Sequence, residues 1–247
     1  MSAAEVFVVD LALSTEGLAR CAAILAPGER ARAARFLRPE DRDRFVASHA
    51  ALRLLLGRAL GTDPAGIGFA AGPAGKPELA GAEGRALHFN LSHSGSHALV
   101  GLADAAIGVD VEAVRPLPDA LRIARGQFAP DEAAALAALP RGQVEAAFFG
   151  LWTRKEAVVK ALGAGLSLPL ARFSVSLPPD APRLLRMPGG TAGWSLAAIA
   201  VGPRAAATVA VAAPDAAIAV RTLPPDWPEN LDPDAHHHAC GPPRAQL

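Results

Sequence analysis

The first feature of chemical interest in this chain is the pair of acidic residues Asp110 and Glu112 in the stretch GVDVE. Side chains two residues apart on a β-strand point to one face, with Cα atoms about 6.6 Å apart, a distance that one hydrated cation can bridge. The same alternation is typical of a strand with one solvent-exposed face. The pair therefore indicates a metal site only if further charged residues join it.

The stretch LWTRKEAVVKALG, residues 151–163, supplies such residues. At 3.6 residues per turn, one stripe of this predicted helix carries two charges and the adjoining stripe is apolar. The first stripe contains Phe149, Thr153, Glu156 and Lys160, and the second contains Phe148, Trp152, Val159 and Leu162. The two charged residues therefore border buried surface.

Glu156 and Lys160 allow two interpretations. They lie four residues apart with the acid first, which is the favourable order for a surface ion pair, but such a pair contributes only about 0.3 to 0.5 kcal/mol. Alternatively, Glu156 is a third carboxylate around magnesium and Lys160 binds a phosphate. Three carboxylates in one place resist ionisation unless a cation joins them, and magnesium leaves coordination positions for phosphate oxygens and water.

The elements that must position these residues follow a mixed α and β pattern. Apolar alternation predicts strands in ALHFNLSHS, HALVGLA and AIGVDVEAV, and helical periodicity predicts a long helix from about residue 145 to 162. The order of elements suggests an α+β fold of two pseudosymmetric halves, each with helices packed on a small, mainly antiparallel sheet. We place the halves at residues 1–107 and 108–223, followed by a Pro-rich tail, 224–247, that we expect to be loosely held.

Composition narrows the possible partners. The 24 Lys and Arg residues balance the 24 Asp and Glu residues, so no net field draws the chain to nucleic acid or to an anionic membrane. Cys21 and Cys240 are far apart in sequence, which fits a reducing compartment. The N-terminal stretch resembles a strand more than a signal peptide, and the longest apolar segment is interrupted by Pro, Gly and Arg, so we expect a cytoplasmic protein.

Several familiar motifs do not fit. GPAGKPE has glycine spacing too short for a phosphate loop and Pro77 in place of the Ser or Thr that would hold magnesium. GIGFAAG lacks the glycine spacing of a dinucleotide site, and no G-x-S-x-G nucleophile motif occurs. The adjacent residues His236, His237 and His238 are more typical of a flexible segment than of a metal site.

Taken together, GKPEL, FNLSHS, GVDVE and FFGLWTRKEAVVKALGAGLSLPL resemble, in the same order, the Sfp-type 4'-phosphopantetheinyl transferases. The resemblance extends from about residue 30 to 175. It implies that the chain transfers the phosphopantetheine arm of coenzyme A to a serine of a carrier protein, depends on magnesium and releases adenosine 3',5'-bisphosphate. It also implies a fold of two pseudosymmetric halves with coenzyme A in the cleft between them.

The resemblance also assigns residues to roles. It implies that Asp110, Glu112 and Glu156 bind magnesium and that Lys160 lies at the diphosphate, with Lys155 at a second basic position. Glu156 is the candidate base for the carrier serine, either directly or through a magnesium-bound water, and the two routes stay open. The positions implied for coenzyme A are Arg32, Gly75, Lys76, Pro77, Asn90, Ser92, His93, Lys155 and Lys160, with Arg32 and His93 at the 3'-phosphate. Arg44 and Arg53 either contact coenzyme A or form salt bridges.

Two other functions remain open from the sequence. The chain could be a non-catalytic module that binds coenzyme A and carrier proteins, although such a module has no need of four charges at a half-buried position. It could also be a magnesium-dependent nucleotide hydrolase, which would cleave coenzyme A without a carrier. The carrier itself, from fatty-acid, polyketide or nonribosomal peptide synthesis, leaves no motif, and we expect a monomer because two fused halves supply their own interface.

Overall fold

The computed structural model of the chain describes residues 2–81 and 87–231. The three adjacent histidines, residues 236–238, and Cys240 lie outside this part. The helices of the described part are α1 (Thr15–Ile24), α2 (Pro27–Ala33), α3 (Pro39–Leu60), α4 (Ala120–Gln127), α5 (Pro130–Ala137), α6 (Arg141–Leu162) and α7 (Trp227–Asn230). None of them is long and apolar enough to span a bilayer.

Eleven strands are present among the described residues, and all but one of their pairings are antiparallel. The strands are β1 (Ala3–Asp10), β2 (Phe69–Ala71), β3 (Pro77–Leu79), β4 (His88–Ser94), β5 (His97–Ala103), β6 (Ile107–Ala113), β7 (Ser174–Val175), β8 (Leu184–Arg186), β9 (Ser195–Ala198), β10 (Ala205–Val211) and β11 (Ala217–Thr222). They form a four-stranded sheet in the order β11-β1-β5-β4, a three-stranded sheet in the order β6-β10-β9 and two short hairpins. The α+β class with small, mainly antiparallel sheets is therefore confirmed.

Contacts divide the chain into two compact units. The first contains residues 1–11 and 68–223, and the second contains residues 12–67 and the chain from residue 224. This division differs from the predicted halves, 1–107 and 108–223, because β1 pairs with β5 on one side and in parallel with β11 on the other. The first and last strands of the chain thus share one sheet, and the division into halves stays a prediction.

The second unit is helical. Arg53 of α3 is buried in it, with Nε 2.5 Å from the Glu29 carboxylate and Nη1 donating to the carbonyl oxygens of Pro64 and Ile67. Arg44 forms an ion pair with Asp41 at 3.4 Å. These contacts favour the salt-bridge interpretation of both arginines.

The start of the predicted tail is folded. α7 packs against α1 in the second unit, and the Trp227 side chain is fully buried. Its large ring removes apolar surface from water that a loose tail would leave exposed. The expectation of a loosely held segment from residue 224 is therefore corrected for residues 224–231.

In the first unit, α6 lies against β6 and β10. The closest approach is at Gly108 of β6, where a Cβ atom would stand 2.0 Å from the Ala157 carbonyl oxygen and 2.4 Å from the Ala161 nitrogen. Only a residue without a side chain allows this approach. Val109 and Val111 point away from the helix into the apolar core, so the next residues on the Gly108 face are Asp110 and Glu112.

The two larger sheets are joined by side chains. β4 and β6 are edge strands, and three polar residues of β4 accept hydrogen bonds from the backbone of β6. Asn90 Oδ1 accepts from Val109 N at 2.8 Å, and the hydroxyls of Ser92 and Ser94 accept from Val111 N at 3.3 Å and Ala113 N at 3.1 Å. These bonds satisfy donors that a buried sheet edge would otherwise leave unpaired.

We predict that Gly108→Ala lowers the free energy of unfolding by about 3 kcal/mol, because the added methyl group meets helix backbone that cannot move aside. Urea denaturation followed by circular dichroism measures the change. The control is Gly126→Ala in α4, where no atom lies within 4 Å of the added Cβ. It should be neutral or slightly stabilising, since alanine is favoured over glycine in helices. A Gly108→Ala variant as stable as the control would contradict the prediction.

Candidate active site

Six of the predicted site residues line one cavity of about 490 Å³ in the first unit. This volume is within the range of sites for small molecules and cofactors, about 300 to 1,000 Å³. The predicted site residues in its lining are Gly75, Lys76, Pro77, Asn90, Glu156 and Lys160. Trp152 also lines the cavity and stacks on Phe148, with ring centroids 5.9 Å apart.

The Gly75–Pro77 loop is held against the first residue of β6 and the last turn of α6. Ala74 and Gly75 have φ angles of 52° and 83°, a left-handed turn in which the glycine is unstrained. Lys76 Nζ donates to the carbonyl oxygens of Ile107 at 2.9 Å and Ala161 at 3.2 Å. Burial lowers the pKa of this ammonium group. The lysine thus connects the loop with both elements that carry the acidic residues.

Asp110 lies at the centre of the charged cluster and is only 3% exposed. Its Oδ1 atom accepts from Lys160 Nζ at 2.5 Å and from the Ser92 hydroxyl at 3.0 Å. Its Oδ2 atom is buried and, among the residues that the structure describes, has no hydrogen-bond partner. Burial raises the pKa of Asp110 to about 6, against the opposing effect of Lys160. A buried carboxylate oxygen without a donor is costly for folding and available to a cation.

Glu112 and Glu156 lie near Asp110. The Ser94 hydroxyl donates to Glu112 Oε2 at 3.0 Å, and the negative charge of Glu112 raises the pKa of Asp110 and of Glu156. Burial is the larger cause of the raised pKa of Glu156, and Lys160 opposes it. The structure therefore brings Asp110 and Glu156 each into electrostatic range of Glu112.

The cluster fits a divalent cation only in part. Within residues 2–81 and 87–231, no group of three His, Cys, Asp or Glu side chains is arranged to hold a metal ion as it stands. Magnesium commonly takes one or two carboxylates together with substrate phosphates and waters, so a complete protein cage is not required. The Oδ2 atom of Asp110, which accepts no hydrogen bond from the described residues, is an oxygen ligand of the kind that magnesium prefers. Asp110, Glu112 and Glu156 as a magnesium triad stay a prediction.

Lys155 does not lie at the cavity, which corrects its expected place beside coenzyme A. Its side chain is 0% exposed, and Nζ donates to Glu132 Oε1 at 2.8 Å and to the Phe173 carbonyl oxygen at 2.7 Å. The ammonium also lies 4.2 Å from the centroid of the Phe173 ring. Because adjacent helix residues point about 100° apart, Lys155 enters the core when Glu156 faces the cavity.

The residues expected at the 3'-phosphate are not assembled within either unit. The Ser92 hydroxyl is directed to Asp110, and the exposed His93, next on β4, lies on the opposite face of the strand and is not among the residues lining the cavity. Arg32 belongs to the second unit, where its exposed guanidinium lies 5.1 Å from the centroid of the Phe45 ring. The roles of Arg32 and His93 stay predictions.

Sequence reasoning missed two contributors to the site. Gly108 allows the close approach of β6 to α6, and Ser94 holds Glu112. A signal for the serine exists in the sequence, because NLSHS places polar residues at every second position of a strand, in phase with the acids of GVDVE. The glycine carries no comparable signal, since its role depends on a helix some forty residues later.

We predict that Asp110→Asn raises the free energy of unfolding by about 3 kcal/mol at pH 7. The folded-state pKa of about 6 lies above the usual 3.8, so the wild-type protein loses stability as the pH rises from 4 to 6. The gain from Asn should therefore be full above pH 6 and absent below pH 4. Urea titrations across this range test it. Asp119→Asn, at an exposed carboxyl whose pKa Arg122 lowers, should show no gain, and a pH-independent effect at residue 110 would contradict the prediction.

Comparison with known proteins identifies the family. The family described as the 4'-phosphopantetheinyl transferase superfamily matches residues 106–212, and the family described as 4'-phosphopantetheinyl transferase, N-terminal, matches residues 13–104. These ranges meet near the boundary predicted from the sequence.

Individual proteins similar to this chain are also 4'-phosphopantetheinyl transferases. The chain is 39% identical to the 4'-phosphopantetheinyl transferase HetI of Nostoc over 77% of its length and 80% of that protein. It is 31% identical to the 4'-phosphopantetheinyl transferase Sfp of Bacillus subtilis over 84% of its length and 91% of that protein. It is 43% identical to a putative 4'-phosphopantetheinyl transferase, slr0495, of Synechocystis, in an alignment that spans 59% of each chain. The chain therefore belongs to the 4'-phosphopantetheinyl transferase family, which confirms the family and the enzyme class predicted from the sequence.

Proposed function

We infer that this chain transfers the 4'-phosphopantetheine arm of coenzyme A to a serine of an apo carrier protein and releases adenosine 3',5'-bisphosphate. The observation that carries the proposal is the meeting of acids and a lysine at one cavity. Glu156 and Lys160 line the same cavity as the Gly75–Pro77 loop, and Lys160 is in contact with Asp110. Membership of the family supplies the reaction class.

In the proposed reaction, the carrier serine oxygen attacks the phosphorus atom that bears the pantetheine arm. A serine O–P bond forms while the bridging P–O bond of the diphosphate breaks, and its electron pair leaves with the 5'-phosphate of adenosine 3',5'-bisphosphate. Glu156 is the candidate acceptor of the serine proton, because its raised pKa makes this carboxylate a better base near neutral pH. Lys160 would stabilise the negative charge that develops on the leaving phosphate.

Asp110, Glu112 and Glu156 would hold magnesium in this proposal. When bound, magnesium would neutralise charge on the diphosphate. Asp110 is suited to this role because Oδ2 is buried without a donor.

A transfer assay tests the proposed function. The protein, coenzyme A, magnesium and an apo carrier domain are mixed, and the intact mass of the carrier is followed by mass spectrometry. We expect the carrier to gain one phosphopantetheine group and to lose this ability when its acceptor serine is replaced by alanine. No adduct on any member of a panel of carriers would contradict the proposal. Release of adenosine 3',5'-bisphosphate without a carrier would favour hydrolysis, and carrier binding without an adduct would favour a binding module.

We further predict that Glu156→Gln reduces the transfer rate at least 100-fold and changes the free energy of unfolding by less than about 1 kcal/mol. Glutamine keeps the size of the side chain but cannot accept the serine proton. The matched control is Glu145→Gln on the same helix, where an oxygen at the same position can still accept from Leu117 N. The control should transfer at the wild-type rate. An active Glu156→Gln variant would contradict the proposed role of Glu156 as the base.

A further inference from the structure

Two serines of β4 each hold one acidic residue of β6. The Ser92 hydroxyl lies 3.0 Å from Asp110 Oδ1, and the Ser94 hydroxyl lies 3.0 Å from Glu112 Oε2. The two contacts repeat at a spacing of two residues on both strands. They therefore follow from the phase of the two strands rather than from a chance contact of one side chain.

Each hydroxyl has its single proton directed at the carboxylate. The oxygen of Ser92 already accepts from Val111 N at 3.3 Å and from Lys160 Nζ at 3.0 Å, and that of Ser94 accepts from Ala113 N at 3.1 Å. A hydroxyl has one proton to donate and two lone pairs to accept with. Once donors of the protein occupy the lone pairs, the proton is left for the carboxylate, and the serine acts as a fixed donor.

A fixed donor matters because the terminal torsion of a carboxylate is broad, so its two oxygens exchange easily. In Asp110, Ser92 and Lys160 both engage Oδ1, and Oδ2 remains the buried oxygen without a partner. Ser92 and Lys160 together thus determine which oxygen of Asp110 stays open. Hydrogen bonds of this kind to metal-binding carboxylates are commonly worth about 10- to 100-fold in metal affinity.

Asn90 of β4 contacts the backbone of β6 as the two serines do, but it holds no acidic residue. Asn90 Oδ1 accepts from Val109 N at 2.8 Å and joins the two sheets as the serines do, but the residue of β6 that precedes Val109 is Gly108. The joining of the sheets can therefore be separated from the holding of the acids.

We propose that Ser92 and Ser94 are positioning residues that orient the Asp110 and Glu112 carboxylates for a divalent cation. This assignment rests on the proposed function, and the contact of Ser92 with coenzyme A stays a prediction. It requires that loss of either hydroxyl weaken cation binding even when coenzyme A and carrier are absent.

The test measures Mn²⁺ binding to the full chain by electron paramagnetic resonance of the free ion, without coenzyme A. We expect Ser92→Ala and Ser94→Ala to weaken Mn²⁺ binding about 10- to 100-fold. Ser94→Thr keeps the hydroxyl and should bind within about threefold of the wild type. Asn90→Ala should lose a comparable part of the stability in urea, because it also leaves a buried backbone donor unpaired, yet bind Mn²⁺ within about threefold of the wild type.

A second measurement serves where Mn²⁺ alone binds weakly. The Mg²⁺ concentration that gives half-maximal transfer, at saturating coenzyme A for each variant, should rise for the two serine-to-alanine variants. It should not rise for Ser195→Ala, whose hydroxyl bonds the backbone of Ala213 and Ala216 and is not part of the cavity lining. Serine variants of β4 that match the wild type in both measurements overturn the proposal, as does an Asn90→Ala variant whose Mn²⁺ binding is equally impaired. If transfer persists with these outcomes, only the positioning role fails, whereas absence of transfer by the wild type refutes the proposed function itself.

Discussion

The contact of Gly108 with α6 is the constraint on which the site depends. The strand backbone lies directly on the helix there, against Ala157 and Ala161. The next side chain on the same face, Asp110, stands about 6.6 Å further along the strand and meets Lys160 from the last turns of the helix. Any side chain at residue 108 would lift the strand from the helix and separate this pair. The glycine thus sets the distance between the acids of β6 and the charges of α6.

α6 forms two ion pairs through its lysines, and these pairs differ in how completely the carboxylate partner is hydrogen-bonded. In the pair of Lys155 and Glu132, every carboxylate oxygen is engaged, since Oε1 accepts from Val175 N and Oε2 from Ala129 N in addition to the lysine. In the pair of Lys160 and Asp110, one oxygen has no donor. Incomplete satisfaction of a buried charge destabilises a fold, and proteins tolerate it mainly where a function requires it.

Much of the site could be predicted from the sequence because its residues follow local periodicity. The period of two in GVDVE and the period of 3.6 in α6 place Asp110, Glu156 and Lys160 without tertiary information. The burial of the Lys155 ammonium group could not be predicted, because its partners Glu132 and Phe173 come from other segments of the chain. The two compact units could not be predicted either, because the pairing of β1 with β11 joins residues 3–8 to residues 217–222, far apart in the sequence.

Residue 160 is a lysine in a chain whose basic residues are nearly all arginines. Of 24 Lys and Arg residues, only Lys76, Lys155 and Lys160 are lysines, and each directs its ammonium group to acceptors inside the first unit. An arginine carries a planar fork that can engage both oxygens of a carboxylate, whereas an ammonium group is a compact point charge. At residue 160, a fork could engage both oxygens of Asp110. The lysine instead contacts Oδ1 together with Ser92 and leaves Oδ2 open. The open oxygen is thus a consequence of residue type as well as of position.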